Sequence, residues 1–135
     1  MYIIVVGASP EGSSFIELAL DNGHRLALIE PDEAKARSVL QKHDIEVFQA
    51  NIATGGILDE AQAHQADAIL AATNDDSANL MAMFLGQQYH IKTLISMVNE
   101  SQHRSLFEKL GVEVLVNPEA IVAKHLYRML SPKSF

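Results

Sequence analysis

Apolar runs and amphipathic stretches alternate along this chain at a spacing that predicts repeated strand–helix units. Tyr2-Ile3-Ile4-Val5-Val6 is an unbroken apolar run, and a second runs from Leu26 to Ile29, so residues 2–6 and 26–30 read as short strands. Between them, Gly12 to Asn22 reads as a helix whose Phe15, Ile16, Leu18, Ala19 and Leu20 form one broad apolar face. Asn22-Gly23 is a stop signal, because both residues tolerate left-handed backbone angles. The pattern then recurs. A helix from Asp32 to about Lys42, a strand at Glu46 to Gln49 and a short helix at Ile57 to Ala61 lead to Ala68-Ile69-Leu70-Ala71-Ala72. That run is apolar at every position, as a central parallel strand covered on both faces requires.

Thr73-Asn74-Asp75-Asp76 supplies capping groups for a helix from Asp76 to Gln88. A strand at Thr93 to Val98, a helix at Ser101 to Leu110, a strand at Val112 to Val116 and a helix opened by Pro118 complete the chain. Six strands separated by helices predict an α/β fold: a doubly wound, mostly parallel Rossmann-type sheet in the order 3-2-1-4-5-6, with helices on both faces. Residues 1–135 fit a single domain. The last helix, about 118–130, carries Ile121, Val122, Leu126, Met129 and Leu130; it is expected either to cover the sheet or to meet a dimer or transport partner.

Composition narrows the function classes. An apolar fraction of 48% with 20% charged residues is that of a globular domain, and no stretch reaches the roughly 18–20 apolar residues that span a bilayer. The expectation is a soluble protein retained inside the cell, without direct membrane insertion. A formal charge of −7 and scattered basic residues argue against a nucleic-acid partner. The absence of cysteine excludes disulfides, thiolate metal sites and cysteine nucleophiles. The six histidines show no metal-ligand spacing, and no nucleophile is paired with a base, so neither a metal site nor a catalytic residue is expected.

The candidate chemistry lies at the strand ends. Gly7-Ala8-Ser9-Pro10-Glu11-Gly12 follows the first strand and Glu30 closes the second, the order in which such a sheet holds the adenosine half of a nucleotide. Gly7 suits the tight turn, and Gly12 permits close helix–sheet approach. The helix start offers amides to phosphate, and Glu30, if it faces a ribose rather than solvent, would accept from its hydroxyls and repel a 2′-phosphate. Ser9 fills space that glycine would leave open, Pro10 removes an amide, and Glu11 adds a like charge; together they weaken phosphate binding. Asn51 and Thr54 follow the third strand, while Thr73, Asn74 and Asp75 follow the central one. Each of these polar residues also has a purely structural reading as a turn or cap.

These residues occur with Asn51-Ile52-Ala53-Thr54, with Asp67 through Leu80 (Asp67-Ala68-Ile69-Leu70-Ala71-Ala72-Thr73-Asn74-Asp75-Asp76-Ser77-Ala78-Asn79-Leu80), with Val98-Asn99, and with Leu106 through Glu119. In that combination the chain resembles the TrkA-N, or RCK N-terminal, family of potassium-transport regulators over about residues 2 to 130. The resemblance implies a cytoplasmic, non-catalytic nucleotide-binding module that binds NAD(H), ATP, ADP or AMP. It also implies a homodimer or higher homo-oligomer attached to a membrane potassium transporter or channel, hence a position at the inner face of the membrane. By position, Gly7, Ala8, Ser9 and Gly12 would form the phosphate turn, and Glu30 would hold the ribose. Asn51, Ala53 and Thr54 would border adenine, with Thr73 and Asn74 lining the phosphate and ribose side. The family's dimer surface would draw on Leu80 to Leu85, Phe107 and the last helix. Ser9 stands where the family usually has glycine, Pro10 where many members have arginine, and Met97 near a frequent basic position. The alternatives are a ligand-free dimerisation scaffold on the same fold and, behind it, a small NAD-dependent oxidoreductase.

Overall fold

A computed structural model describes residues 1–130. Its six strands, β1 (Tyr2–Val6), β2 (Arg25–Ile29), β3 (Glu46–Phe48), β4 (Ala68–Ala71), β5 (Thr93–Val98) and β6 (Glu113–Val116), form one sheet in the order β3-β2-β1-β4-β5-β6. Every adjacent pair is parallel. The expected order is therefore the observed one, and β1 and β4 lie in the middle, buried along their whole length.

Side-chain alternation divides the core into two layers. On one face, Ile4, Val6, Ile29, Ile69 and Val98 pack with Met83 of α4 (Asp76–Gln88) and Phe107 of α5 (Arg104–Glu108). On the other, Ile3, Val5, Leu28 and Leu70 pack with Ile16 and Ala19 of α1 (Pro10–Asp21) and Val39 of α2 (Glu33–Lys42). Each large side chain removed from water in these layers contributes about 1.5–3 kcal/mol. A short α3 (Ile57–Glu60) and a 3₁₀ turn at Ala63–Gln65, absent from the sequence reading, bridge β3 to β4.

Two helices and one side chain differ from expectation. Helix α1 begins at Pro10, two residues before Gly12, because Ser9 caps it through a bond from the Gly12 N–H to Ser9 Oγ (3.1 Å). The expected helix over Ser101 to Leu110 is split into a 3₁₀ turn, Ser101–His103, followed by α5. Phe107, on the apolar side of this helix and placed by the family resemblance at a dimer surface, is fully buried and belongs to the core.

The last helix, α6 (Pro118–Leu130), does not cover the sheet. Only Pro118 is buried, while Ile121, Val122, Leu126, Tyr127, Met129 and Leu130 are all exposed. Asn117 adopts left-handed backbone angles (φ 51°) between β6 and Pro118. No helix among the described residues is long and apolar enough to cross a membrane.

Candidate functional site

Parallel register sets the site. Val6 pairs with Ile29 on one side and Ala71 on the other, so the next residues, Gly7, Glu30 and Ala72, meet at the carboxyl edge of the sheet. There a cleft of about 740 Å³ opens at the switch point between β1 and β4, where doubly wound sheets hold ligands. Its floor and walls include Gly7, Ser9, Glu30, Asn51, Thr73 and Asn74. Pro118, Glu119 and Val122 at the start of α6 also line it.

Backbone geometry fixes the turn after β1. Gly7 has φ +102°, and a Cβ there would lie 2.7 Å from Thr73 Cγ2 and 2.9 Å from the Ala72 carbonyl oxygen. A Cβ on Gly12 would run into the Gly7 carbonyl oxygen, so the first turn of α1 sits directly on the strand end. Glu30 closes this wall from beneath. Only 5% exposed, it accepts from the Ala8 N–H at Oε1 (2.7 Å) and from the Asp32 N–H at Oε2 (2.9 Å). The carboxylate thus ties the glycine turn to the end of β2, and its remaining lone pairs are what it can offer a ribose. Ser9 is equally committed: its hydroxyl donates to the Ala72 carbonyl (2.5 Å) and accepts from Gly12.

The opposite wall is a side-chain network. Asn79, fully buried on α4, accepts at Oδ1 from the Thr73 N–H (3.1 Å) and hydroxyl (2.7 Å). Its Nδ2 donates to the Thr73 and Met97 carbonyls, both at 3.1 Å. Asp76, whose side chain is 7% exposed, accepts at Oδ1 from the Asn99 N–H (2.7 Å) and Nδ2 (2.9 Å). Its Oδ2 accepts from the Glu100 N–H (3.0 Å) and from His103 Nδ1 (2.8 Å). Burial alone would raise the Asp76 pKa, but the bonds from Asn99, His103 and Glu100 outweigh it and hold the carboxyl below its ordinary value. The fold therefore brings a histidine to Asp76 that sequence spacing could not place. Asp76, Glu100 and His103 have ligand-type atoms within 4.8 Å of one another, yet His103 is bonded directly to Asp76, making the group a clasp on the β5–α5 loop.

The other predicted positions lie differently. Ala8 and Gly12 are buried behind the turn and support it without lining the cleft. Ala53 and Thr54 are outside the cleft as well, bordering a separate concavity of about 100 Å³ beside Leu85 and Tyr89. Asn51 turns its Oδ1 to the Ala53 N–H (2.9 Å), which bends the segment away. Asn79, Asp76 and Asn99 were missed as individual site residues. The available signal was an asparagine on the buried face of α4, in helical register with Ala82, Met83 and Gly86.

Comparisons with known proteins agree with this architecture. The TrkA-N domain model matches residues 3–118. A Trk system potassium uptake protein TrkA homolog from Methanothermobacter thermautotrophicus is 30% identical over 131 residues, covering 97% of this chain and 61% of the relative. The chain thus spans about three-fifths of that relative's length. Among solved structures, the TrkA-N domain of inner membrane protein ybaL from Escherichia coli superimposes with a TM-score of 0.83 at 15% identity, covering 96% of each chain. The GsuK protein bound to ADP gives a TM-score of 0.80 at 21% identity, over 98% of this chain and 34% of that one. The GsuK channel bound to NAD gives 0.73 at 18%, over 84% and 21%. With a family match over most of its length, this chain belongs to the TrkA-N domain family.

Proposed function

We propose that this chain is the nucleotide-sensing part of a potassium transport system, binding an adenine nucleotide in the cleft and passing its occupancy to a second copy through α6. The observation that carries the proposal is the joining of two features. The cleft lies at the sheet switch point, and Glu119 and Val122 of its wall belong to the helix whose other apolar residues, Leu126 and Met129 among them, face solvent. A nucleotide touching Val122 therefore touches the element best placed to meet a partner. Ligand binding shifts the balance between two arrangements of that helix only if it binds them with different affinity. The related protein GsuK has been solved with ADP and with NAD, which supports the same ligand class here. In this reading the domain works at the cytoplasmic face of the membrane, held there by a transporter or channel subunit.

The ligand-free scaffold is the second reading, favoured by Ser9 and Glu30, whose polar atoms are already engaged within the protein. Titration calorimetry with AMP, ADP, ATP, NAD and NADH, paired with sedimentation velocity, separates the two. The sensing account predicts saturable binding of at least one nucleotide, weakened in Glu30→Ala, and a ligand-dependent change in sedimentation. No binding at near-millimolar nucleotide by a folded protein would establish the scaffold instead.

A further inference from the structure

We infer that α6 is a strap with a second seat: it swings about Asn117 and lies on its own chain's sheet, in the apolar groove between α1 and β4–β6, where its apolar stripe is withdrawn from any partner. The sensing reading above enters only as the trigger; the seat stands on the geometry of the chain.

The seat is sheet that the connections leave bare. On one face α1 and α2 pack over the strands β1 to β3, while α4 and α5 pack on the other face. The first face therefore has no helix over β5 and β6. A groove of about 380 Å³ runs there beside α1, lined by Phe15, Leu18, Leu70 and Ile95 among others. Leu115 pairs with Met97 in the parallel register, so it points to this same face, and it is 46% exposed. Leu18, on the rim, is 64% exposed.

The strap matches the seat in length and level. Thirteen residues make α6 about 20 Å long, and the six residues of β5 span about the same distance. Pro10 and Glu11 at the head of α1 and Pro118 and Glu119 at the head of α6 line the same cleft, so both helices start at the carboxyl edge of the sheet. Laid beside α1 and parallel to it, α6 brings Leu126 level with Leu18, each eight residues past the first proline, and Arg128 level with Asp21. Its stripe of Val122, Leu126 and Met129, at helical i, i+4, i+7 spacing, then meets Ile95, Met97 and Leu115.

The pivot is also present. The Asn117 N–H donates to the Val98 carbonyl (2.9 Å), which anchors it to the end of β5, and its φ of 51° lies in the left-handed region. Moving that one residue to the roomier right-handed or extended regions re-aims the whole helix. In the arrangement described above, Glu119 and Val122 wall the cleft; seated, Val122 leaves it. A nucleotide that touches Val122 therefore favours the projecting arrangement, and the seated one is an autoinhibitory contact.

The chain contains no cysteine, so cross-linking reads the seat directly. Leu18→Cys/Leu126→Cys is treated with a short bismaleimide beside Leu40→Cys/Leu126→Cys, whose first site is exposed but lies on α2. Mixing chains with and without a size tag tells links within a chain from links between chains. Within-chain linkage proceeds at an effective concentration on the order of millimolar, so at low-micromolar protein the first pair should link within one chain at least about fivefold faster than the second. Leu115→Glu, which charges the seat at an exposed position, should slow that linkage by about threefold with the fold retained in circular dichroism. Linkage mainly between chains would assign the groove to the α6 of a second copy, and equal rates for the two pairs would leave α6 without a seat there; either result overturns the strap. Saturating NADH should then slow within-chain linkage by about threefold. Bound NADH that leaves the rate unchanged would overturn the trigger, whereas failure of every nucleotide to bind would remove the sensing reading and leave the strap in place.

Discussion

The wall of the cleft built on β1 and β2 is held by backbone groups around one carboxylate, whereas the wall built on β4 and β5 is held by the side chains of Asn79, Asp76, Asn99 and Thr73. On the first wall, residue identity matters because any Cβ at Gly7 or Gly12 collides with the main chain. On the second, it matters because each polar atom needs a particular partner in a buried setting. The first wall is consequently intolerant of added atoms, and the second of lost ones.

That contrast yields graded expectations. Gly7→Val combines a positive φ with contacts under 3 Å and should cost about 3 kcal/mol or more in chemical denaturation, abolishing nucleotide binding with it. Asn79→Ala removes four hydrogen bonds and strands buried groups on Thr73 and Met97. We expect about 2–4 kcal/mol of destabilisation, with Asn79→Asp no better, because a carboxylate cannot donate to those carbonyls. Glu30→Gln keeps the shape but places an amide donor against a backbone N–H. It should cost about 1–3 kcal/mol, and Glu30→Asp, too short to reach both Ala8 and Asp32, should fall in the same range. Equal stability of wild type and Glu30→Gln would show that the clasp between the turn and β2 is not made.

A pH experiment compared between wild type and Asp76→Asn probes the second wall. Because the fold lowers the Asp76 pKa, its contribution is fully present above the unfolded-state value and is lost as pH falls through the lower folded-state value. Denaturation midpoints should therefore drop on acidification through the carboxylate range, and the drop should be shallower in Asp76→Asn. The smallest expected effect on monomer stability comes from Leu126→Glu on α6. The side chain is exposed, so stability should change by less than about 0.5 kcal/mol, while any self-association through α6 is lost in sedimentation.

The sheet order was legible in the sequence because a continuous apolar run such as Ala68–Ala71 has only one kind of place in a doubly wound fold, the covered middle. Helix ends were less so: Pro10 begins α1 because Ser9 turns its hydroxyl to Gly12, a choice made by capping geometry. The apolar stripe of α6 was equally visible, but periodicity shows that a face must be covered without showing by what. At the site, Gly7, Ser9, Glu30, Asn51, Thr73 and Asn74 were legible because their positions follow directly from strand ends. Ala53 and Thr54 lay one turn too far for that logic, since Asn51 folds the segment back on itself. Asn79, Asp76 and Asn99 owe their role to partners as far as 27 residues away, which spacing along the chain does not encode.

The central claim, that one cleft joins a nucleotide to α6, is tested most directly by backbone amide chemical shifts during titration with NADH. The account predicts saturable shifts at Ser9 and Glu11, at Thr73 and Asn99, and, with the same apparent Kd, at Glu119 through Leu126. Shifts confined to the glycine turn with α6 unmoved, or no saturable shifts at all, would contradict it.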